Sequence, residues 1–248
     1  MEILVDRKLI LTKFLIPLNK FTDQAIITLT RDCIDCVSYT TNDKQTIVLY
    51  TKLVVKNKTD DPNFVDVKLN IGSVKKFINA LSCLSDDIIA LDIQPNHIAY
   101  TSPNANFKFH LKEDGTIESA PMSVTKINNI EFSTEVTISN DTLKEVIKAS
   151  GFSVDTNKIY FNMKDGSLYG DLTDKTIQNL DNINILISEN VVGDKLESPV
   201  ILGMDVFKVL SSTKCKQLDI KFSKNGAVVF HIKEDNYLMK YLTSSLVK

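Results

Sequence analysis

The sequence predicts an α+β chain of two similar domains, each with two short helices packed on antiparallel sheets. Three observations predict it. Four stretches of the 248 residues carry clear apolar spacing at three and four residues. The sequence between them mostly alternates apolar and polar at period two. The four helical stretches begin near residues 8, 73, 141 and 204, so one helix recurs about every 65 residues, inside the range of repeated supersecondary units. The length suits two domains, and 43% apolar content fills two modest cores.

The first helix is predicted from Lys8 to Ile16, ending near Pro17, whose ring and missing N–H disfavour continuation. Strands follow over Ala25 to Thr30, Thr46 to Val55 and Phe64 to Leu69. The second helix spans Ser73 to Leu84, with Ser73 as N-cap and Val74, Phe77, Ile78 and Leu81 on one apolar face. Ile88 to Ile93 and Phe107 to Leu111 read as strands. Residues 113–131 lack sustained periodicity and contain Gly115, Pro121 and Asn128-Asn129, which suits a connector between domains 1–112 and 132–248. The third helix covers Asp141 to Ser150 and stops at Gly151. A strand over Lys158 to Met163 leads into the turn Lys164-Asp165-Gly166. The fourth helix, Met204 to Ser212, precedes a strand over Leu218 to Phe222 and the turn Lys224-Asn225-Gly226.

The halves match in detail. Asp43-Lys44 corresponds to Asp174-Lys175, Phe77 to Phe207 and Asn96 to Asn225, at offsets of 131, 130 and 129. Leu91-Asp92-Ile93, Ile98-Ala99-Tyr100 and Phe107-Lys108 parallel Leu218-Asp219-Ile220, Val228-Val229-Phe230 and Met239-Lys240.

A net charge of −2 gives no hint of nucleic acid. Its distribution does. The windows 7–20, 72–84, 140–150 and 203–216 hold 11 bases and 3 acids, net +8, which leaves 18 bases and 28 acids, net −10, elsewhere. A basic helical layer of this kind suits a phosphate backbone, through counterion release and without base-specific bonds. The candidate DNA contacts are Lys8, Lys13, Lys20, Lys75, Lys76, Lys144, Lys148, Lys208 and Lys214.

Duplicated halves, four units of helix plus strands, basic helices and a connector near residue 120 together resemble the ring-shaped sliding clamps of the proliferating-cell-nuclear-antigen type. The closer likeness is to the trimeric clamps of large tailed phages. The stretches that carry it are Val74 to Asp87 leading into Ile88 to Ile93, Leu143 to Thr156 leading into Lys158 to Gly170, and Val200 to Leu210 leading into Leu218 to Leu242. The ending Tyr241-Leu242-Thr243-Ser244 is similar to that of cellular clamps, with Ser244 where they have proline.

The resemblance implies the DNA-clamp fold and a homotrimeric ring of six domains around duplex DNA, acting as a DNA polymerase processivity factor. It implies subunit contacts between the strand bearing Phe107, Phe109 and Leu111 and a neighbour's strand bearing Ile183, Ile185 and Ile187. Partner peptides would dock at Met122, Val124, Ile127, Tyr241 and Leu242. The polymerase and a clamp loader are the expected partners. No cofactor, metal or catalytic residue is implied.

Other chemistries fit less well. Cys33-Ile-Asp-Cys36 matches C-x-x-C but lies in a strand-like run, where an odd spacing sends two half-buried thiols to opposite faces. No second C-x-x-C exists, and His97, His110 and His231 are scattered without ligand spacing. The acid pairs Asp60-Asp61 and Asp86-Asp87 read as solvated turns. With 8 glycines the chain has no G-x-S-x-G and no phosphate loop. No leader or membrane-length apolar run appears, so a cytoplasmic protein working at replication forks, in a host cell if viral, is expected. The alternatives are a monomeric DNA-binding processivity protein with an open basic face, or an enzyme with an unrecognised site.

Overall fold

A computed structural model describes residues 1–42, 45–57, 64–151, 157–173, 175, 181–210 and 215–246. The first half opens with β1 (Glu2–Asp6) and a helical stretch over residues 7–19, which comprises α1 (Arg7–Leu9), a π-helical segment Ile10–Leu15 and α2 (Ile16–Asn19). It continues through β2 (Ala25–Leu29), β3 (Cys33–Asn42), β4 (Gln45–Val54), β5 (Lys56–Asn57), β6 (Val67–Ile71), α3 (Val74–Ser82), β7 (Ile88–Gln94), β8 (His97–Thr101) and β9 (Asn106–His110).

After a short α4 (Val124–Asn128) the same succession returns: β10 (Thr134–Ser139), α5 (Asn140–Ala149), β11 (Lys158–Lys164), β12 (Ser167–Leu172), β13 (Ile183–Ser188), β14 (Val191–Gly193), β15 (Val200–Gly203), α6 (Asp205–Leu210), β16 (Gln217–Phe222), β17 (Ala227–Glu234) and β18 (Tyr237–Ser244). Pairing repeats as well as order. β5-β1-β7-β8-β9 in the first half matches β14-β10-β16-β17-β18 in the second, and β6-β2-β3-β4 matches β15-β11-β12-β13. The predicted α+β chain of two similar domains, each with two short helical stretches packed on antiparallel sheets, is the architecture found.

Two units divide the chain, and each draws on the other half's sequence. Residues 1–40, 48–124 and 234–239 make the first, and 41–47, 125–233 and 240–248 the second. In the first, Val54 N–H donates to the Asn236 carbonyl at 2.8 Å. In the second, Thr243 Oγ1 donates to the Thr46 carbonyl at 3.1 Å.

Both cores follow from strand alternation meeting one apolar helix face. In the first unit Ile3 and Val5 of β1 lie opposite Leu91 and Ile89 of β7, and all four are buried with Phe14, Leu15, Phe77 and Leu81 of the helices. In the second, Phe161 meets Phe222 edge-on at 5.5 Å and Phe207 meets Phe230 in the same way at 5.5 Å. Such pairs add about 0.5–1.5 kcal/mol each beyond area burial. The turn at Asp165-Gly166 places both residues at positive φ, 52° and 82°, which matches its tight hairpin reading.

The first helix continues past Pro17 to Asn19, beyond its predicted end. The wide turn explains this: Ile16 N–H reaches back five residues to the Leu11 carbonyl. Where a π segment returns to α spacing, Pro17 stands in the first turn of a renewed helix, and its missing donor costs little there. Ser73 caps α3 as predicted, its side chain accepting from Lys76 N–H at 3.2 Å. The connector carries α4, with Ile127 buried. No helix among the described residues is long and apolar enough to cross a membrane.

Candidate nucleic-acid interface

In each unit two helices lie together, the 7–19 stretch with α3 in the first and α5 with α6 in the second. The apolar face of each helix enters its core, so charged positions are left outward. On α3, Val74, Phe77 and Leu81 are buried while Lys75, Lys76 and Asn79 are exposed. On α5, Leu143 and Val146 are buried, with Lys144 and Lys148 exposed four residues apart. Lys8 and Lys20 are exposed at either end of the first stretch. α6 includes Lys208, whose side chain lies outside the described residues. Lys214, Asp60-Asp61, Asp43-Lys44 and Asp174 lie outside them as well.

These cations differ in how free they are. Lys13 is half-buried, its Nζ 3.0 Å from the Tyr237 hydroxyl and 4.7 Å from the ring centroid, so it is engaged inside the first unit. Tyr237 in turn donates to Glu234 at 2.7 Å. Lys144 pairs with Asp141 at 2.9 Å, but both side chains are well exposed, and such i,i+3 pairs are weak and open readily.

Sequence windows missed Asp23. Its carboxylate accepts from Lys75 N–H at 2.9 Å and from the Ser73 hydroxyl at 3.0 Å, and its carbonyl accepts from Val74 N–H at 2.7 Å. One acid therefore fixes the start of α3 on the face that the windows show as free of acids. The signal was an aspartate just after one helix, joined to the next only by the fold.

The edge strands carry the residues expected at a subunit boundary. β9 has one described neighbour, β8, and β13 has one, β12. Their counterparts β18 and β4 have two each. Phe107, Phe109 and Leu111 are half-buried, as are Ile183 and Ile185, while Ile187 is buried. Phe109 leans on Phe77 at 4.9 Å and Phe107 stacks on Tyr100 at 5.8 Å, so both belong to the inner face of a sheet whose last described strand is β9. Of the predicted peptide-docking residues, Met122 and Val124 are half-buried, whereas Ile127, Tyr241 and Leu242 are buried side chains of the second unit.

Cys33 and Cys36 are both buried, against the half-buried state expected of them. Cys33 begins β3 beneath Thr30, whose hydroxyl lies 2.9 Å from its sulfur. Burial, with Asp35 adding to it, pushes the Cys36 thiol up to about 12, the reverse of a redox thiolate. No group of three or more His, Cys, Asp or Glu side chains among the described residues is placed to surround a metal ion. The arrangement can bind a polyanion along exposed lysines, through contacts of the kind that position a phosphate backbone.

No protein-family model matches the sequence, and no curated protein matches it. Solved structures do match. A. fulgidus PCNA, in a structure of the C-terminal region of FEN-1 bound to it, aligns with a TM-score of 0.77 at 10% identity over 100% of this chain and 98% of its own. The PCNA2–PCNA3 complex of Sulfolobus tokodaii aligns at 0.70 and 14% identity over 99% of both. The Helicobacter pylori beta clamp bound to a DNA ligase peptide aligns at 0.65 and 15% identity, over 100% of this chain and 67% of the clamp. The fold is that of the sliding clamps.

Proposed function

We propose that the chain is one subunit of a homotrimeric sliding clamp, a non-catalytic ring that encircles duplex DNA and tethers a replicative polymerase and other DNA-processing proteins. The observation that carries this reading is the gathering of net +8 on the four helical windows of a clamp-fold chain whose remainder is net −10. Phosphates would be met by Lys8, Lys20, Lys75, Lys76, Lys144 and Lys148, with Lys208 and Lys214 from the last window. Binding of this type is independent of sequence and lets a ring slide.

Closure has a physical argument of its own. β9 and β13 stand in their halves where β18 and β4 stand in the other, yet each lacks a second described neighbour. Pairing β9 of one subunit with β13 of the next would repeat the neighbour relation of β18 and β4. It would also cover Phe107, Ile183 and Ile185 and remove two open edges. The arrangement is head-to-tail, which generates a ring when the rotation closes. A clamp loader would open and close that ring in the cytoplasm, and client peptides would approach Met122 and Val124 in the connector.

The test is retention. Assembled protein should stay on nicked circular DNA and leave when the circle is cut, with a solution mass of three chains. Equal retention on circular and linear DNA, or a one-chain mass with tight, salt-sensitive binding, would instead identify an open-faced DNA-binding protein.

A further inference from the structure

The chain contains three histidines, and two of them face each other. His97 of β8 and His110 of β9 are directly opposed in the antiparallel register, with ring centroids 6.2 Å apart and planes tilted by 45°. The hairpin register creates this pair; the stretch of chain between them hides it in the sequence, where the histidines read as scattered.

Orientation makes the pair more than a coincidence of neighbours. His97 Nδ1 lies 2.7 Å from Asn96 Oδ1. An amide oxygen only accepts, so Nδ1 carries the hydrogen and Nε2 keeps its lone pair. Metal-binding histidines are held in this way, one ring nitrogen donating to an oxygen while the other faces the ion. Two imidazoles sharing an ion at N–metal lengths of about 2.0–2.1 Å have centroids roughly 5–6.5 Å apart, from tetrahedral to nearly linear ligand angles. The observed 6.2 Å lies at the open end of that range, so a modest rotation of the exposed His110 ring would bring the pair to the tetrahedral angle that zinc prefers. His110 is exposed and His97 half-buried, so water can complete the coordination. Burial, then Lys108 and His110, disfavour a positive charge on His97 itself, which keeps the imidazole neutral as a ligand must be, and Asp92 opposes them.

We propose that His97 and His110 form a two-imidazole site for a divalent first-row transition-metal ion of the zinc, copper or nickel type, for which imidazole is a suitable ligand. The ion bridges β8 and the edge strand β9 and so braces the end of the first unit's sheet. The site rests on the hairpin alone and is independent of the proposed ring.

Calorimetric titration of zinc chloride into the full chain at neutral pH tests the site. One ion should bind per chain, and binding should disappear in His97→Asn and in His110→Gln while persisting in His231→Ala, which removes the remaining histidine. Asn96→Ala should weaken it about 10- to 100-fold by freeing the ring of His97. Zinc should also raise the unfolding midpoint of the natural chain and leave that of His110→Gln unmoved. Circular dichroism matching the natural chain establishes that each variant is folded. Zinc binding that survives in a folded variant carrying both His97→Asn and His110→Gln, or no binding by the natural chain, would overturn the site.

Discussion

Lys13 lies along the ring of Tyr237, a residue more than two hundred positions away, with its ammonium 4.7 Å from the ring centroid and 3.0 Å from the hydroxyl. A lysine counted with the basic face is thereby also a tie within the first unit. Lys13→Ala is expected to lower stability by about 0.5–1 kcal/mol, the scale of an exposed to half-buried cation–π interaction. Chemical denaturation of the single variant, of Tyr237→Leu and of the pair measures the coupling between the two side chains. Additive effects would mean that the two residues do not interact.

The exposed lysines are expected to behave differently. Substituting Lys76, Lys144 and Lys208 together should flatten the dependence of DNA affinity on salt by about 0.9 in log–log slope for each phosphate no longer neutralised, with little change in stability. Titrations at several salt concentrations give the slope, and an unaltered one would exclude these three from the interface.

Ile185→Asp places a carboxylate on β13, which has one strand neighbour among the described residues and where the natural side chain is half-buried. If the chain forms the proposed trimeric ring, the expected result is a folded variant whose mass by light scattering is one chain where the natural protein gives three. A three-chain mass would locate the subunit boundary elsewhere.

His231 supplies a pH dependence. Burial holds its pKa below the ordinary 6.5, Lys221 and Lys240 push in the same direction, and Asp219 and Glu135 oppose them. Its Nε2 is buried with no hydrogen-bond partner among the described residues. The native state therefore takes up this proton less readily than the unfolded chain. The stability involved is fully present above about pH 6.5 and is lost as pH falls through the lowered native value. Urea midpoints measured across this window should fall more steeply for the natural chain than for His231→Gln; parallel curves would remove His231 as the source.

Phe207→Ala should cost about 3–5 kcal/mol, because the ring touches both Phe161 and Phe230 in the second core. Thermal unfolding checks the value, and a loss under about 1 kcal/mol would mean that the core closes over the gap.

Periodicity located the helices because each sets one apolar stripe against a single core, as Phe77 and Leu81 do on α3. β1 escaped notice because Ile3, Leu4 and Val5 form an unbroken apolar run, which hides the alternation present in its burial. β3 was read only as strand-like around its cysteines: its burial follows from packing on both faces near Cys33 and Ile34, which blurs the period of two. The basic layer was legible as composition, for charge is local to each helix. Lys13 and Asp23 were not legible in their roles, because Tyr237 and Ser73 reach them through the fold. The pairing of His97 with His110 depends on hairpin register, which residue spacing does not reveal without the turn.

The exchange of residues 41–47 and 234–239 between the two units bears on how the protein can be divided. Cutting the chain in the connector would part the leading fragment's residues 41–47 from the rest of the second unit and deprive the first unit of residues 234–239. The trailing fragment would be incomplete in the complementary way. The halves look modular in order and pairing, yet they are not severable, and either fragment should fold only when the other is supplied in trans.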